Sequence, residues 1–177
     1  MTAPPDVLVL QRLPTPIGLA VLVTDQGDAL RAFDWSEFEP KLAAHLARRY
    51  PTARRAEGRS PVAEAFEAYF AGELSALARV PWRAAGTAFQ QAVWRALCDI
   101  PAGETRSYAA LAAAIGRPSA VRAVGLANGS NPVALAAPCH RVIGADGSLT
   151  GYGGGLHRKR WLLRHEGAAF NERRVAA

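Results

Sequence analysis

The chain changes its pattern near residue 86, and this change constrains its fold more than any other feature of the sequence. Before that point, turn signals such as Gly27-Asp28 separate short apolar runs at residues 7–10, 18–23 and 29–35. Runs of this length between turns predict the strands of a small sheet. After that point, apolar residues recur at helical spacing. We therefore expect an α/β domain at residues 1–85 and a mostly helical domain at residues 86–177.

Two helices complete the predicted first domain. Ser36 with Glu39 three residues later is a capping-box signature, and apolar residues follow it at helical spacing until Pro51. Residues 52–59 are polar and rich in arginine, so we expect a loop there. Ser60-Pro61 is then expected to start the second helix.

The predicted second domain begins after residues 77–85, which have no helical period, so we set the boundary before Gly86. Thr87 with Gln90 is another capping-box signature and starts a helix with a buried apolar stripe. Cys98 directly follows this stripe. Because free cysteines are commonly buried, we interpret Cys98 as a small core residue.

Two short helices joined by a tight turn come next. Ser107 is expected to cap the first helix and Gly116 to end it, and Pro118-Ser119 is expected to begin the second. Small residues such as Ala120 surround Arg122 on the outward surface, so such a helix can approach DNA closely. This surface favours shallow contact with the minor groove of DNA over reading of its major groove. The pattern predicts a helix-turn-helix, with a plain helical hairpin carrying one solvated arginine as the alternative.

Charge and cysteine content indicate the class of protein. The formal net charge of +6 arises in residues 86–177, which carry 11 Arg and Lys against 5 Asp and Glu, whereas residues 1–85 carry 10 of each. A basic region is what a phosphate backbone requires, although many basic proteins bind no nucleic acid. The two cysteines fit neither a disulfide framework nor a zinc site. No signal peptide or membrane span is evident, so we expect a soluble, cytoplasmic protein with no membrane partner.

The segment Pro138-Cys139-His140-Arg141-Val142 carries the chemistry. A free cysteine is mostly thiol at neutral pH, and a base held by a carboxylate converts it to the thiolate nucleophile. Because neighbours on an extended segment point to opposite faces, we expect His140 to reach Cys139 through a bridging water or a bend. Glu166, just after a predicted helix at residues 156–165, is the candidate carboxylate, with a harmless surface glutamate as the alternative.

Two features near this segment have open interpretations. The glycine-rich loop 150–155 is either the wall of a pocket for a flat base or a flexible turn. The following helix carries four basic residues, which we interpret as a solvated face: Arg158, Lys159, Arg160 and Arg164.

Together these pieces resemble the O6-alkylguanine-DNA alkyltransferases of the bacterial Ogt and Ada C-terminal type. The resemblance is strong over about residues 86–167 and weaker at residues 15–18 and 69–72. Besides the segment 138–142, the matching stretches are GTAFQQAVW from Gly86, IPAGET from Ile100, RAVG from Arg122, ANGSNP from Ala127 and WLLRHEG from Trp161.

This resemblance implies a ribonuclease-H-like N-terminal α/β domain and a helical C-terminal domain that binds the minor groove through its helix-turn-helix. The implied partner is double-stranded DNA that contains O6-alkylguanine, with the damaged nucleotide flipped out of the stack. Arg122 would fill the gap and Tyr108 would steer the base, while Ser119 and Ala120 would contact the DNA. A monomer is expected.

The resemblance also implies the residues of the transfer. Cys139 would attack the alkyl carbon, with His140 acting through a water and Glu166 orienting the histidine. Asn131 would hold the active-site turn, and Tyr108 would assist departure of the guanine. The remaining implied residues form the base pocket: Val142, Tyr152, Gly153 and Lys159.

A thioether on Cys139 has no good leaving group, so a single turnover without a cofactor is expected. O4-alkylthymine is a second candidate substrate. Some relatives bind zinc through cysteine and histidine in the N-terminal domain, but no cysteine precedes Cys98 here, so we predict no metal. Gly153 stands where many relatives carry a larger side chain, which predicts room for bulkier alkyl groups.

Three other interpretations compete with this one. An alkyltransferase-like protein would bind lesions without reacting, although those relatives replace the cysteine. A transcription regulator would use the helix-turn-helix but leaves the Pro-Cys-His-Arg segment unexplained. A cysteine hydrolase needs only the Cys139-His140 pair, but no oxyanion-forming motif is evident.

Overall fold

The computed structural model describes residues 5–175, with side chains described to residue 172. The protein is of mixed α/β class and divides into two compact units, with the division between Ala85 and Gly86. Within the described residues, no helix is long and apolar enough to cross a membrane.

The first unit is built around a four-stranded sheet. In chain order its elements are β1 (Val7–Thr15), β2 (Gly18–Asp25), β3 (Leu30–Trp35), α1 (Glu39–Arg49), β4 (Arg54–Glu57) and α2 (Ala63–Phe70). The strand order is β3-β2-β1-β4, in which β1, β2 and β3 are antiparallel neighbours and β4 runs parallel to β1. The three predicted strands are therefore confirmed, and the sheet gains one more.

Helices α1 and α2 cover opposite faces of this sheet. Val23 of β2 packs in one cluster with Leu46 of α1. Phe33 of β3 points to the other face and stacks on Phe66 of α2, with ring centroids 5.5 Å apart. Because β2 is buried on both faces, its sequence is a continuous apolar run without alternation.

Several predicted details of this unit are wrong. Ser36 does not cap α1, because a 3-10 turn at Ser36–Phe38 precedes the helix. The N-cap is Phe38, whose side chain makes no hydrogen bond. The predicted loop 52–59 contains β4, an edge strand whose exposed charged residues obscured the strand pattern. The boundary stretch 77–85 begins within a 3-10 turn, Ala76–Arg79, which does not contradict its lack of a helical period.

The second unit contains four helices and short strand pairs within its described residues. In chain order these are α3 (Ala88–Cys98), β5 (Arg106–Ser107), α4 (Tyr108–Ala114), α5 (Val121–Gly129), β6 (Val142–Ile143), β7 (Ser148–Leu149), α6 (Leu156–His165) and β8 (Asn171–Val175). Strand β5 pairs with β6 and β7 with β8, both in parallel. The predicted helix 156–165 is confirmed.

Caps define the helix starts in this unit. Both capping-box bonds of Thr87 and Gln90 are present, and Ser107 accepts a hydrogen bond from the Ala110 amide, so these two predictions are confirmed. The second helix of the pair starts later than predicted, at Val121. Ser119 makes no cap, because it lies in a turn closed by the Ala120 amide on the Arg117 carbonyl at 2.9 Å.

Cys98 is exposed, which contradicts its predicted place in the core. Val93, Trp94 and Leu97 form the buried stripe of α3. Cys98 is one residue beyond Leu97, and a helix turns by about 100° per residue, so its side chain lies past the edge of the stripe. Its thiol contacts the Trp94 carbonyl oxygen at 3.5 Å.

Candidate active site

Cys139 begins a 3-10 turn, Cys139–Arg141, in the second unit. The segment is therefore bent at Cys139 and not extended as expected, and within the described residues the buried Nδ1 of His140 makes no direct hydrogen bond to the thiol. The cysteine is 6% exposed. Burial raises the pKa of its thiol, while a hydrogen bond from Asn131 and the charge of Lys159 act in the opposite direction. At rest the thiol therefore keeps its proton and needs a base to become a nucleophile.

His140 is fully buried and bonded to a buried carboxylate. Its Nε2 lies 2.9 Å from Oε1 of Glu166, although the two residues are 26 positions apart. Because an ionised carboxylate only accepts, Nε2 carries the hydrogen and Nδ1 carries the free lone pair. Within the described residues, that buried Nδ1 makes no hydrogen bond. The histidine thus presents a basic nitrogen that its partner has oriented.

Arg141 shares the same carboxylate, a contact that no sequence pattern predicted. Its Nε donates to Oε2 of Glu166 and its Nη2 to Oε1, each at 2.9 Å, and its Nη1 donates to the Ile100 carbonyl at 2.6 Å. This bidentate contact fixes the orientation of the carboxylate. The only sequence signal was the position of Arg141 directly after the Cys-His pair.

The charges of this cluster determine its protonation. Burial by itself would raise the pKa of Glu166, but His140 and Arg141 together hold it well below its usual range. Burial lowers the pKa of His140 below its ordinary value, against the pull of Glu166. Because Arg141 already balances the carboxylate, the histidine stays neutral at neutral pH. It can therefore accept a proton.

Asn131 holds the segment that leads to Cys139. Its Nδ2 donates to the Ala137 carbonyl at 2.7 Å, and its Oδ1 accepts from the Val133 amide at 3.1 Å. Between these contacts Leu135 has a φ of 71°, a left-handed conformation that is strained for a non-glycine residue. The asparagine thus ties both ends of a strained turn just before the cysteine.

Lys159 and Arg158 lie inside the unit, so the predicted solvated face of α6 is wrong for these two residues. The Nζ of Lys159 donates to the carbonyls of Val142 at 2.6 Å and Thr150 at 3.3 Å. Arg158 donates to the Gly154 carbonyl at 2.8 Å. Burial lowers the pKa of Lys159 to about 8. Both cations satisfy carbonyls of the glycine-rich loop, a role that local periodicity does not reveal.

The glycine-rich loop and α4 meet at Tyr108. The phenol oxygen of Tyr108 lies 2.7 Å from Oγ1 of Thr150. Its ring lies against α5, where a Cβ on Gly125 would be 3.7 Å from the ring. In the loop, Tyr152 is half-buried, and Gly153 is exposed with open space where a Cβ would stand. The contact between Tyr108 and Thr150 thus attaches the loop to α4.

The remaining predicted DNA contacts lie on or before α5. Arg122 and Ser119 are exposed, and Ala120 is half-buried at the N-cap. One turn after Arg122, Leu126 is 74% exposed, which is unusual for a large apolar residue. Among the described residues, no group of three or more histidine, cysteine or acidic side chains is arranged to hold a metal ion.

Comparison with known proteins places this site in context. Residues 88–168 match the family described as 6-O-methylguanine DNA methyltransferase, DNA binding domain. A methylated-DNA–protein-cysteine methyltransferase of Shigella flexneri is 43% identical over 164 residues, which are 90% of this chain and 96% of that protein.

Solved structures give the same result. The crystal structure of an O6-methylguanine methyltransferase of Mycobacterium tuberculosis matches with a TM-score of 0.76 at 44% identity, covering 91% of this chain and 93% of that one. The M. tuberculosis OGT in complex with DNA matches with a TM-score of 0.74 at 43% identity, covering 89% and 92%. The similarity therefore extends over both units.

Proposed function

The chain belongs to the methylated-DNA–protein-cysteine methyltransferase family, and from this premise we propose that it repairs DNA by moving the alkyl group of O6-alkylguanine onto its own Cys139. The observation that carries the proposal is a buried thiol followed by a buried neutral histidine, whose Nε2 is held by Glu166 at 2.9 Å. In this arrangement the neutral histidine can take up the proton of the thiol and so form the thiolate nucleophile inside a buried site.

The first step is activation of the thiol. His140 takes the proton of Cys139 on its Nδ1 through one bridging water, and Glu166 stabilises the imidazolium that forms. Arg141 keeps Glu166 ionised and in position during this step. The charge of Lys159 favours the thiolate, since it acts to lower the pKa of Cys139. Asn131 holds the strained turn that presents the sulfur.

The second step is an in-line displacement. The sulfur attacks the alkyl carbon, so the S–C bond forms while the C–O6 bond breaks and its electron pair stays on guanine. Tyr108 donates a hydrogen bond to the departing base as this charge develops. Because the thioether has no good leaving group, the thiol is not regenerated, and each molecule acts once without a cofactor.

The base is held by four further residues in this proposal. The Val142 carbonyl and the Gly153 amide contact the guanine edge and O6, while Tyr152 and Lys159 support the pocket. The open space beside Gly153 supports entry of alkyl groups larger than methyl. O4-alkylthymine is a second candidate substrate.

The proposal assigns a role to each unit. Residues 1–85 form a ribonuclease-H-like domain, and residues 86–177 form the domain for DNA binding and transfer. Helices α4 and α5 act as a helix-turn-helix in the minor groove, where Arg122 fills the gap left by the flipped nucleotide, and Ser119 and Ala120 contact the strand. Support comes from the exposure of Arg122 beside small residues, and from the DNA complex of the M. tuberculosis relative. The protein acts as a monomer in the cytoplasm.

Intact-protein and peptide mass spectrometry tests the transfer. After incubation with a duplex containing one O6-methylguanine, we expect the peptide holding Cys139 to gain about one methylene, about 14 Da, and no more than one per molecule. Cys139→Ala is the control and should gain nothing, whereas Cys98→Ala should react like the wild type.

Other outcomes would replace the proposal. Binding to the lesion duplex without any gain of mass would identify a lesion-binding protein that does not react. Strong preference for one sequence among random undamaged duplexes would favour a transcription regulator. Alkylation on Cys98 alone would remove the roles given to Cys139, His140 and Glu166.

A further inference from the structure

Thr150 has no part in the transfer described above, yet its side chain and backbone both contact residues that do. Its Oγ1 lies 2.7 Å from the phenol oxygen of Tyr108, and its carbonyl accepts from Nζ of Lys159 at 3.3 Å. The two residues that it joins are 51 positions apart along the chain, on α4 and α6. Thr150 thus lies between the buried lysine and the phenol.

We propose that Thr150 is a positioning residue for Tyr108: its hydroxyl donates to the phenol oxygen, which fixes the ring and leaves the phenol hydrogen free for the departing guanine. This inference rests on the proposed function, in which Tyr108 contacts the base. It adds a residue that acts through Tyr108 and does not itself touch the reacting atoms.

The direction of this hydrogen bond determines its effect. A hydroxyl has one hydrogen to donate, so a phenol that donated to Thr150 would have none for the base. When Thr150 donates instead, the phenol becomes a stronger donor, because the bond stabilises negative charge on its oxygen. Burial raises the pKa of Tyr108, and hydrogen bonds from Thr150 and Asn128 act in the opposite direction. The phenol therefore keeps its hydrogen at neutral pH.

The surroundings make this contact well suited to positioning. The Tyr108 ring passes over Gly125, which has no side chain to hold it on that side. The position of the phenol oxygen, at the tip of the side chain, is thus fixed by its polar contacts. Thr150 is itself held, because Lys159 is fully buried and bonded to the Thr150 carbonyl. A rigid phenol loses less freedom when the transition state forms.

Single-turnover transfer rates of five proteins test the inference: the wild type, Thr150→Val, Thr150→Ser, Tyr108→Phe and the double variant Thr150→Val/Tyr108→Phe. Valine keeps the shape of threonine without its hydroxyl, so we expect about a fivefold slower transfer, as for one lost hydrogen bond. Serine restores the hydroxyl and should restore most of the rate. Valine at position 150 should have no further effect once Tyr108 is phenylalanine.

Controls separate positioning from loss of structure. Thr105→Val removes another side-chain hydrogen bond of the same unit, from Thr105 to the Ala169 carbonyl, and should leave the rate unchanged. Thermal melting of each variant shows whether it folds, and Thr150→Ala is the second hydroxyl-free variant if Thr150→Val does not fold. The substrates are an O6-methylguanine duplex and free O6-benzylguanine.

Two results would overturn the inference. One is a Thr150→Val rate equal to that of the wild type, and the other is an equal slowing by valine with and without the Tyr108 hydroxyl. If the wild type itself transfers no alkyl group to Cys139 from either substrate, the proposed function fails and this inference fails with it. Transfer by the wild type without an effect of valine rejects the inference alone.

Discussion

One glutamate organises the protonation of the site. Glu166 directly follows α6, where the helix dipole disfavours a negative charge. Hydrogen bonds from Arg141 at 2.9 Å and a close contact with His140 at 2.9 Å overcome that disadvantage and keep it ionised. The result is a neutral histidine with a defined tautomer beside a protonated thiol. This is the resting state that a base-activated cysteine requires.

Acid should destabilise the protein through His140. The pKa of the folded-state histidine lies below the ordinary 6.5, so the unfolded chain takes up the proton first. The stability is fully present above about pH 6.5 and is lost as the pH falls through the folded value. Urea unfolding should show a lower unfolding free energy at about pH 5.5 than at about pH 7.5, and one group contributes at most on the order of 1 kcal/mol to this loss.

His140→Gln should reduce that loss. His45 in the first unit also has a lowered pKa, from burial and nearby cations. The variant His45→Gln therefore measures how much of the loss at low pH comes from His45 and not from His140. An unfolding free energy that depends on pH equally in the wild type and in His140→Gln would contradict the buried neutral histidine.

At the scale of elements, local rules explain where the helices of the second unit begin. Thr87 and Ser107 each accept a backbone hydrogen bond at the first turn of their helices. These bonds satisfy amide groups that a helix start leaves open. The same rule failed at Ser36, where the chain forms a 3-10 turn, and the helix expected to begin at Pro118-Ser119 begins only at Val121, after a β-turn. A capping signature therefore predicts a helix start only where no competing turn forms.

Ser107→Ala should lower the free energy of unfolding by about 1 kcal/mol, since the α4 start loses its side-chain cap. Ser119→Ala provides the matched comparison, because Ser119 makes no cap, and should change stability by less than about 0.5 kcal/mol. Denaturant unfolding measures both. Equal effects of the two substitutions would show that the α4 cap contributes nothing to stability.

At the scale of the whole molecule, charge is unevenly divided. The excess of 6 positive charges arises in residues 86–177, while residues 1–85 are balanced. The unit that holds Cys139 is therefore also the basic one, as contact with a phosphate backbone requires. The chemistry itself involves buried groups, which salt screens little. Binding and transfer should accordingly respond differently to ionic strength.

Raising salt from about 50 mM to about 200 mM should weaken binding to a duplex by about tenfold or more, because each phosphate contact releases counterions. The rate with free O6-benzylguanine, which carries no phosphate, should change by less than about twofold. Fluorescence anisotropy and single-turnover kinetics provide the two measurements. Duplex binding that does not depend on salt would exclude a phosphate interface on this chain.

The sequence by itself determined the elements that depend on near neighbours: three strands of the sheet, the capping box of Thr87 and Gln90, and the extent of α6. It also singled out Cys139, through the Pro-Cys-His-Arg-Val segment in which this cysteine lies. Only the tertiary structure decided the partners of the site, because they lie far apart along the chain. Arg141 meets Glu166 across 25 positions, and Thr150 meets Tyr108 across 42. Periodicity within a few residues carries no information on such pairs. The basic composition of α6 predicted an exposed Lys159, and only the tertiary structure shows that this lysine lies in the core.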